Sequence, residues 1–431
     1  MSETIQLKNT DHWLAKRVPF FYGWLITPIS ILAIVTTSPG QTLMISVFNP
    51  RFLSDLNISL SQLSWAYMVG TLLASLPQSY LGDWMDKIGW RKMLIIVSIL
   101  FSLACFYTSL VQNLLMLFFA FLFLRMLGQG ALNLIGSNML AMWFKERLGT
   151  IAGVSGVLVS LLIGVVPLGA LALINQFGWR KAYIISGGIV LAVMLPIAIF
   201  VYISRPEDIG EVVDGNNEKN SKEMEELEEL ENSRNSFSLK EAIRTRSFWI
   251  LTLIASFWAA VATAITFNIL PIFTGKGLTD LQAAATFTYL SIAVAITRVV
   301  GGYLADKISL HILTVLAVFS YALGTGALFI LPNSSVVITY IIFTGIAQGF
   351  LSGVFSTVWV RYFGRKNLGK INGVVWTATA ASSSVGPLLM GISFDHFGDY
   401  QFSLMIGAII FLVLAISGFW ATPPKRFPEI A

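Results

Sequence analysis

The chain is cut into twelve apolar stretches, each close to 20 residues or longer, and its Lys and Arg residues gather on alternate loops between them. A helix needs roughly 20 apolar residues to cross a bilayer. Every backbone polar group must also be satisfied inside the hydrocarbon, which favours helices for such stretches. The pattern predicts an all-α polytopic membrane protein. Spans are expected at 20–47, 62–82, 92–111, 114–142, 149–173, 181–203, 247–273, 281–304, 310–331, 334–360, 369–393 and 400–421. Composition agrees: 55% of residues are hydrophobic and only 12% charged. A soluble protein of this size could not hide that much apolar surface.

Orientation follows from the basic residues. With both termini cytoplasmic, the outer loops carry only Arg51, Arg180, Lys181 and Lys276. Arg125 and Arg298 lie inside spans, so 22 of the 28 basic residues face inward. The reverse orientation would break the positive-inside bias. The sequence pI near 9.2 thus reflects inner loops and does not point to nucleic acid. The lone Cys105 sits in a span, so no intrachain disulfide is expected. His12, His311 and His396 are scattered, so neither a metal nor a cofactor is expected. The polar start of the chain is too long for a secretory signal.

Residues 204–245 form the longest polar stretch and include the run Glu223-Met224-Glu225-Glu226-Leu227-Glu228-Glu229. This reads as a partly disordered cytoplasmic linker with room for one short helix. It separates residues 1–203 from 246–431, two expected six-helix bundles. The halves repeat each other. Gly82, Asp86, Lys87 and Ile88 reappear 220 positions later as Gly302, Asp306, Lys307 and Ile308. The same shift carries Gly149, Gly153, Pro167, Phe177 and Gly178 onto Gly369, Gly373, Pro387, Phe397 and Gly398. Gln129-Gly130 matches Gln348-Gly349 at a shift of 219. One near-constant register over three spans implies parallel repeats about an axis along the membrane normal.

The loop after span 2 reads Gly82-Asp83-Trp84-Met85-Asp86-Lys87-Ile88-Gly89-Trp90-Arg91-Lys92. Gly82 suits close helix approach and Gly89 a tight turn. Asp86 suits a helix N-terminus, and Arg91 a carboxylate or a helix C-terminus. The loop resembles the signature of the major facilitator superfamily, G-x-x-x-D-x-x-G-x-R-K/R. The resemblance implies a latch, with Gly82, Asp86, Gly89, Arg91, Gly302 and Asp306 as gating residues. The second copy departs from the pattern at Ser309 and His311, so its latch is expected to be weaker. Span 4 carries Arg125-Met126-Leu127-Gly128-Gln129-Gly130, similar to the superfamily's helix-4 motif, with its glycines read as close packing.

Both intramembrane arginines need a reason. Placing a charge near mid-bilayer costs at least about 2.5–3.5 kcal/mol on the insertion scale, and the spans contain no Asp or Glu in their interior. Arg125 either holds helices together through backbone carbonyls or contacts an anion. Arg298 is either paired structurally or free to take a carboxylate in its fork. Three further features bear on this: Phe20-Phe21-Tyr22-Gly23-Trp24, Arg244-Thr245-Arg246-Ser247-Phe248-Trp249, and Arg298 sixteen residues after Gln282. They resemble the monocarboxylate transporter and oxalate:formate antiporter group. That resemblance implies that Arg298 binds a substrate carboxylate. Two positions depart from the group. Thr379 stands where the oxalate exchangers carry a lysine, which disfavours a dianion, and Val294 stands where animal monocarboxylate transporters carry an aspartate.

Further candidates come from polar or broken helix centres. Span 1 contains Thr36-Thr37-Ser38-Pro39-Gly40-Gln41-Thr42, where the proline removes a donor and the backbone must be satisfied by side chains, water or substrate. Gln41, Tyr67, Asn133, Thr263, Asn268, Tyr289, Gln348 and Ser352 are cavity candidates, although such residues also glue helices. Gly153, Gly156, Gly369 and Gly373 read as small-residue packing faces.

The resemblance implies a monomeric secondary active or facilitative carrier of small organic anions, above all monocarboxylates. It would work by alternating access in a bacterial cytoplasmic membrane, with a proton or counter-anion as a conceivable co-substrate. The alternatives are an exporter of drug-like or other small molecules and a non-transporting receptor. No His/Asp/Glu constellation suggests an enzyme.

Overall fold

The computed structural model describes residues 17–213 and 236–424, except 146, 331–334 and 365–366, and leaves the side chains at 79, 82, 83, 86 and 369 undescribed. His12, most of the Glu-rich stretch, and the side chains of Gly82 and Asp86 lie outside the described residues.

All regular structure among the described residues is helical. Among the described residues, nine helical stretches are long and apolar enough to cross a membrane. One of them, Leu148–Val201, is 54 residues long. At about 1.5 Å per residue it would run more than twice the hydrocarbon thickness. It breaks at Gly178 (φ 79°, ψ 160°) and therefore holds spans 5 and 6. Two less apolar stretches complete the twelve. Span 11 is Leu368–Phe397, and span 2 comes in two pieces, Leu60–Ser75 and Gln78–Ile88.

The interruption of span 2 corrects the expectation of one helix over 62–82. Pro77 has no N–H to continue the ladder and precedes the second piece. Span 1 breaks where the sequence predicted. Its first helix, Gly23–Val35, gives way to a tight turn at Ser38–Gly40, and a second helix follows over Thr42–Leu56.

The backbone carries the repeat into three dimensions. Gly178 and Gly398, 220 positions apart, both have positive φ, at 79° and 78°. Asn57 and Gly277 form another pair at the same spacing, with φ of 50° and 85°. Both pairs lie where a span ends, where a positive φ turns the chain out of the helix.

Contacts group the chain into two compact units. The first holds 1–58 and 69–218, and the second holds 59–68 and 219–431. In the first unit, Ser30 donates to Gly136 O at 2.7 Å and ties span 1 to span 4, while Ser102 donates to Gly187 O at 2.8 Å and ties span 3 to span 6. Asp55 accepts from Trp179 Nε1 at 2.7 Å and from Arg180 at 3.2 Å. Arg180 also reaches Val111 O at 3.0 Å.

In the second unit, a buried core joins Phe248, Leu251, Val358, Trp359, Phe363 and Ile371. Another joins Ile254, Val318, Tyr321, Leu351 and Phe411. The 59–68 segment docks on span 11, with Ser61 N–H donating to Asp395 at 3.0 Å.

Candidate functional site

The described candidates divide between the two units. In the first, span 4 leaves α geometry at Arg125. The eight residues Arg125–Leu132 form a π-helix between Leu114–Leu124 and Asn133–Trp143. Such wide turns are rare and cluster at functional positions. No sequence signal had suggested one, beyond the glycines of Gly128-Gln129-Gly130.

Arg125 is only 5% exposed. Its terminal nitrogen lies 3.3 Å from Gly40 O and 3.3 Å from Thr42 Oγ1, both at the break in span 1. The neighbouring break residues use their own side chains. Thr37 donates to Ile34 O at 2.6 Å, and Gln41 Nε2 donates to Thr37 Oγ1 at 3.0 Å. Gly40 packs so tightly that a Cβ there would run into the Leu124 carbonyl, one residue before Arg125. The guanidinium thus satisfies part of a backbone that Pro39 and the tight turn have opened. Asn133, half-buried, continues span 4 one turn beyond the glycines. A Cβ on Gly128 would lie 2.5 Å from the Phe101 ring, and one on Gly130 would lie 2.7 Å from Gln78 Nε2, so both glycines are packing positions.

In the second unit, Arg298 sits on the helix Asp280–Lys307, facing the helix Ser335–Phe363. These spans, 8 and 10, cross on small residues four apart: Ala293, Thr297 and Gly301 on one, Gly345, Gly349 and Gly353 on the other. A Cβ on Gly349 would lie 2.6 Å from Arg298 N, and one on Gly353 would lie 2.6 Å from Gly301 O. Thr297 donates across the crossing to Gly345 O at 2.6 Å.

This crossing fixes the backbone that carries Arg298. Its side chain is half-buried, and Nε donates to Ser352 Oγ at 2.9 Å. Among the described residues no carboxylate pairs with it. The two terminal nitrogens are therefore available for an external acceptor. Gln348, one turn before Ser352, is half-buried and bonds the Tyr321 hydroxyl, which also accepts from Trp258 Nε1.

The remaining candidates of the second unit are spread out. Tyr289, on the helix of Arg298, is 57% exposed. Thr379 donates to Val375 O of its own helix at 2.7 Å. Asn268 is buried at the end of Arg246–Phe267, donates to Ala264 O at 2.9 Å and keeps an unpartnered Oδ1. Tyr67 is fully buried with its ring 4.6 Å from that of Phe267.

Of the expected gating residues, Gly89 has φ 94° and caps Gln78–Ile88 before Trp90–Ser109 begins. Arg91 donates from Nε to Ala198 O at 3.0 Å and also bonds Ile199 O, so it serves the carbonyls that end span 6. Asp306 pairs with Arg361, which also donates to Ala305 O at 2.7 Å.

Close packing is absent at two glycines where it was expected: a Cβ on Gly153 or Gly373 meets nothing within 4 Å. The same holds at Gly302, the repeat partner of Gly82, where Gly301 takes the packed position instead. Of two mainly apolar pockets, one of about 440 Å³ is lined in part by Thr36, Ser38 and Pro39 of the span 1 break, and one of about 320 Å³ between spans 7, 11 and 12 includes none of the sequence candidates.

The comparisons match this architecture. YhjX, an uncharacterized MFS-type transporter of Escherichia coli, is 25% identical over 78% of this chain and 80% of its own. SauU of Cupriavidus necator, a probable sulfoacetate transporter, is 24% identical over 88% of this chain and 89% of its own. The inward-facing, unoccupied structure of a bacterial homolog of the human lysosomal transporter Spinster aligns with a TM-score of 0.67. It is 15% identical and covers 93% of this chain and 96% of that one. The sequence profile of the Major Facilitator Superfamily matches residues 29–343, well over half of the twelve-span chain, and the protein belongs to that superfamily of membrane transporters.

Proposed function

We propose that the protein carries a small organic monoanion across the membrane and that Arg298 holds the carboxylate. The carrying observation is the state of that guanidinium. Nε is engaged by Ser352 at 2.9 Å, and no acid among the described residues neutralises the charge. A carboxylate meeting the terminal nitrogens end-on would form the bidentate geometry that arginine favours. The similarity to SauU, named for an anionic cargo, supports an organic anion. Thr379 adds no second cation in span 11, which favours one negative charge over two. Gln348, Tyr289, Tyr67 and Asn268, in the same unit as Arg298, are the proposed secondary contacts, while Arg125 is assigned to structure.

Transport proceeds by alternating access between two six-helix bundles, 1–203 and 246–431, joined by a linker over 204–245. Both termini and the linker are cytoplasmic, from the distribution of basic loop residues. The loop around Asp86 and Arg91, together with Asp306, acts as the latch.

The test is uptake of a labelled monocarboxylate panel into proteoliposomes by the wild type and Arg298→Ala. Saturable uptake of at least one monocarboxylate, lost in the variant, is expected. Uptake of neutral or cationic compounds alone would overturn the anion reading.

A further inference from the structure

We propose that the start of span 7 and the end of span 12 form a binding site for the phosphate headgroup of an anionic phospholipid. Arg244 and Arg246 line a pocket of about 490 Å³ with Phe419, Trp420 and Pro424. The Ser247 hydroxyl donates to Thr422 O and fastens the chain beyond span 12 against the start of span 7. Both arginines are exposed, and no acid among the described residues pairs with either. Glu241, three residues before Arg244, accepts from Ser238 N–H at 2.6 Å.

The electrostatics of this pocket are one-sided. Arg246 is the first residue of the helix Arg246–Phe267, where the helix dipole already presents positive charge. Two guanidiniums and a helix N-terminus thus converge on one pocket, an arrangement that an external anion relieves. Thr245 Oγ1 caps Phe248 N–H at 3.3 Å and so meets one of the open donors of this helix start. The charge of the two guanidiniums is left uncompensated among the described residues.

The setting points to lipid. Trp249, Phe419 and Trp420 are 51%, 56% and 59% exposed beside the arginines. Indole rings collect at the headgroup level of membranes, and Trp249 Nε1 is held by Ile243 O at 2.7 Å, inside that layer. A basic pocket between span ends, rimmed by aromatics, suits a phosphodiester whose acyl chains run down the apolar faces of spans 7 and 12. None of these residues is assigned to carboxylate transport, so the proposal stands apart from the Arg298 reading.

Purified full-length protein in detergent is titrated with short-chain phosphatidylglycerol, short-chain phosphatidylcholine or inorganic phosphate while the thermal midpoint is followed. Phosphatidylglycerol is expected to raise the midpoint saturably, with phosphatidylcholine and phosphate ineffective at equal concentration. R244Q/R246Q should shift the phosphatidylglycerol half-point roughly thirtyfold and each single variant roughly fivefold, while R244K/R246K keeps most of the response. The single variants carry the test should the double variant not fold. Unchanged titration in the glutamine variants, or equal stabilisation by phosphatidylcholine, overturns the site. Equal stabilisation by inorganic phosphate assigns the pocket to a soluble anion and overturns the lipid source.

Discussion

Arg125 on span 4 and Arg298 on span 8 began as equal puzzles, each a guanidinium inside an apolar stretch with no acid nearby. The repeat explains their different fates. In the first half, span 1 breaks at Ser38–Gly40, and Arg125 reaches across to Gly40 O and Thr42 Oγ1. In the second half, span 7 runs as unbroken α-helix from Arg246 to Phe267 through the equivalent positions. There is no opened backbone to serve, and at the 219-residue shift that aligns Gln129-Gly130 with Gln348-Gly349 the place of Arg125 is taken by the buried Thr344. Conversely, the place of Arg298 is taken in the first half by Gln78, whose Nε2 lies 3.5 Å from Ala74 O. An intramembrane arginine is therefore interpreted by what its neighbouring backbone lacks. Arg125 gives a terminal N–H to a broken helix, whereas Nε of Arg298 bonds Ser352 and no carboxylate among the described residues pairs with it, which is the basis for proposing Arg298 as the ligand site.

The comparison is broken most directly at Arg125. Arg125→Ala leaves a buried carbonyl unpaired and a cavity behind it. A loss of about 3 kcal/mol or more is expected, seen as a lower thermal midpoint of the purified protein. A variant as stable as wild type would remove the structural assignment.

Next comes the crossing that carries Arg298. Gly349→Ala forces a Cβ to within 2.6 Å of Arg298 N and needs the helices to separate, at a cost of about 1–3 kcal/mol. Gly302→Ala and Gly373→Ala enter open space and should leave the midpoint unchanged, and Gly373→Ala should leave uptake unchanged as well. Equal effects at all three positions would argue against the crossing as the support.

Arg298→Ala should have the opposite signature to Arg125→Ala. Loss of a charge-assisted contact to a carboxylate costs on the order of 1.5–3 kcal/mol of binding, roughly tenfold or more in Kd, with the midpoint little changed. Arg298→Lys should recover only part of the affinity, because an ammonium lacks the fork. Isothermal titration of folded, monodisperse protein reads both numbers. Tight binding by the alanine variant would return Arg298 to structure.

Ser352→Ala is a finer probe. It frees Nε and loosens the fork, so a Kd increase of about fivefold is expected, corresponding to one hydrogen bond near 1 kcal/mol. Ser352→Thr keeps the hydroxyl and should restore binding. No difference between the two variants would show that the bond at Nε does not position the guanidinium.

The smallest effect tests the first half away from both arginines. Glu211 accepts from Tyr22 N–H at 3.0 Å, yet desolvation pushes its carboxyl above the usual range. A raised folded value means that the fold binds this proton more tightly than the unfolded chain. Stability from this group is thus greatest below the ordinary carboxylate value and declines as pH rises to the raised one. Glu211→Gln should flatten that slope in thermal scans taken between acidic and neutral pH.

Much of the architecture was legible because the bilayer imposes it. Twelve stretches, the register shift of 220, the interruption of span 1 and the turn at Gly89 all rest on local chemistry: length, hydropathy, proline and glycine. The packing was less legible. Gly301 touches span 10 while Gly302 faces open space, and Gly153 and Gly373 touch nothing. Small residues suit both a helix crossing and a surface facing lipid, so hydropathy cannot tell the two faces apart. Span 2 is interrupted at Pro77, inside an apolar run whose length alone reads as one helix.

The sequence by itself determined the number of spans, the internal repeat and the presence of two intramembrane arginines, because a charge or a broken run in hydrocarbon stands out residue by residue. Tertiary structure alone decided which arginine was already used. The acceptor of Arg125 lies 85 residues away, at the end of a three-residue turn, and the π-helix that presents Arg125 packs against that turn. Hydrogen-bond satisfaction in a membrane is a property of neighbouring helices, and only their placement shows which charge is already spent.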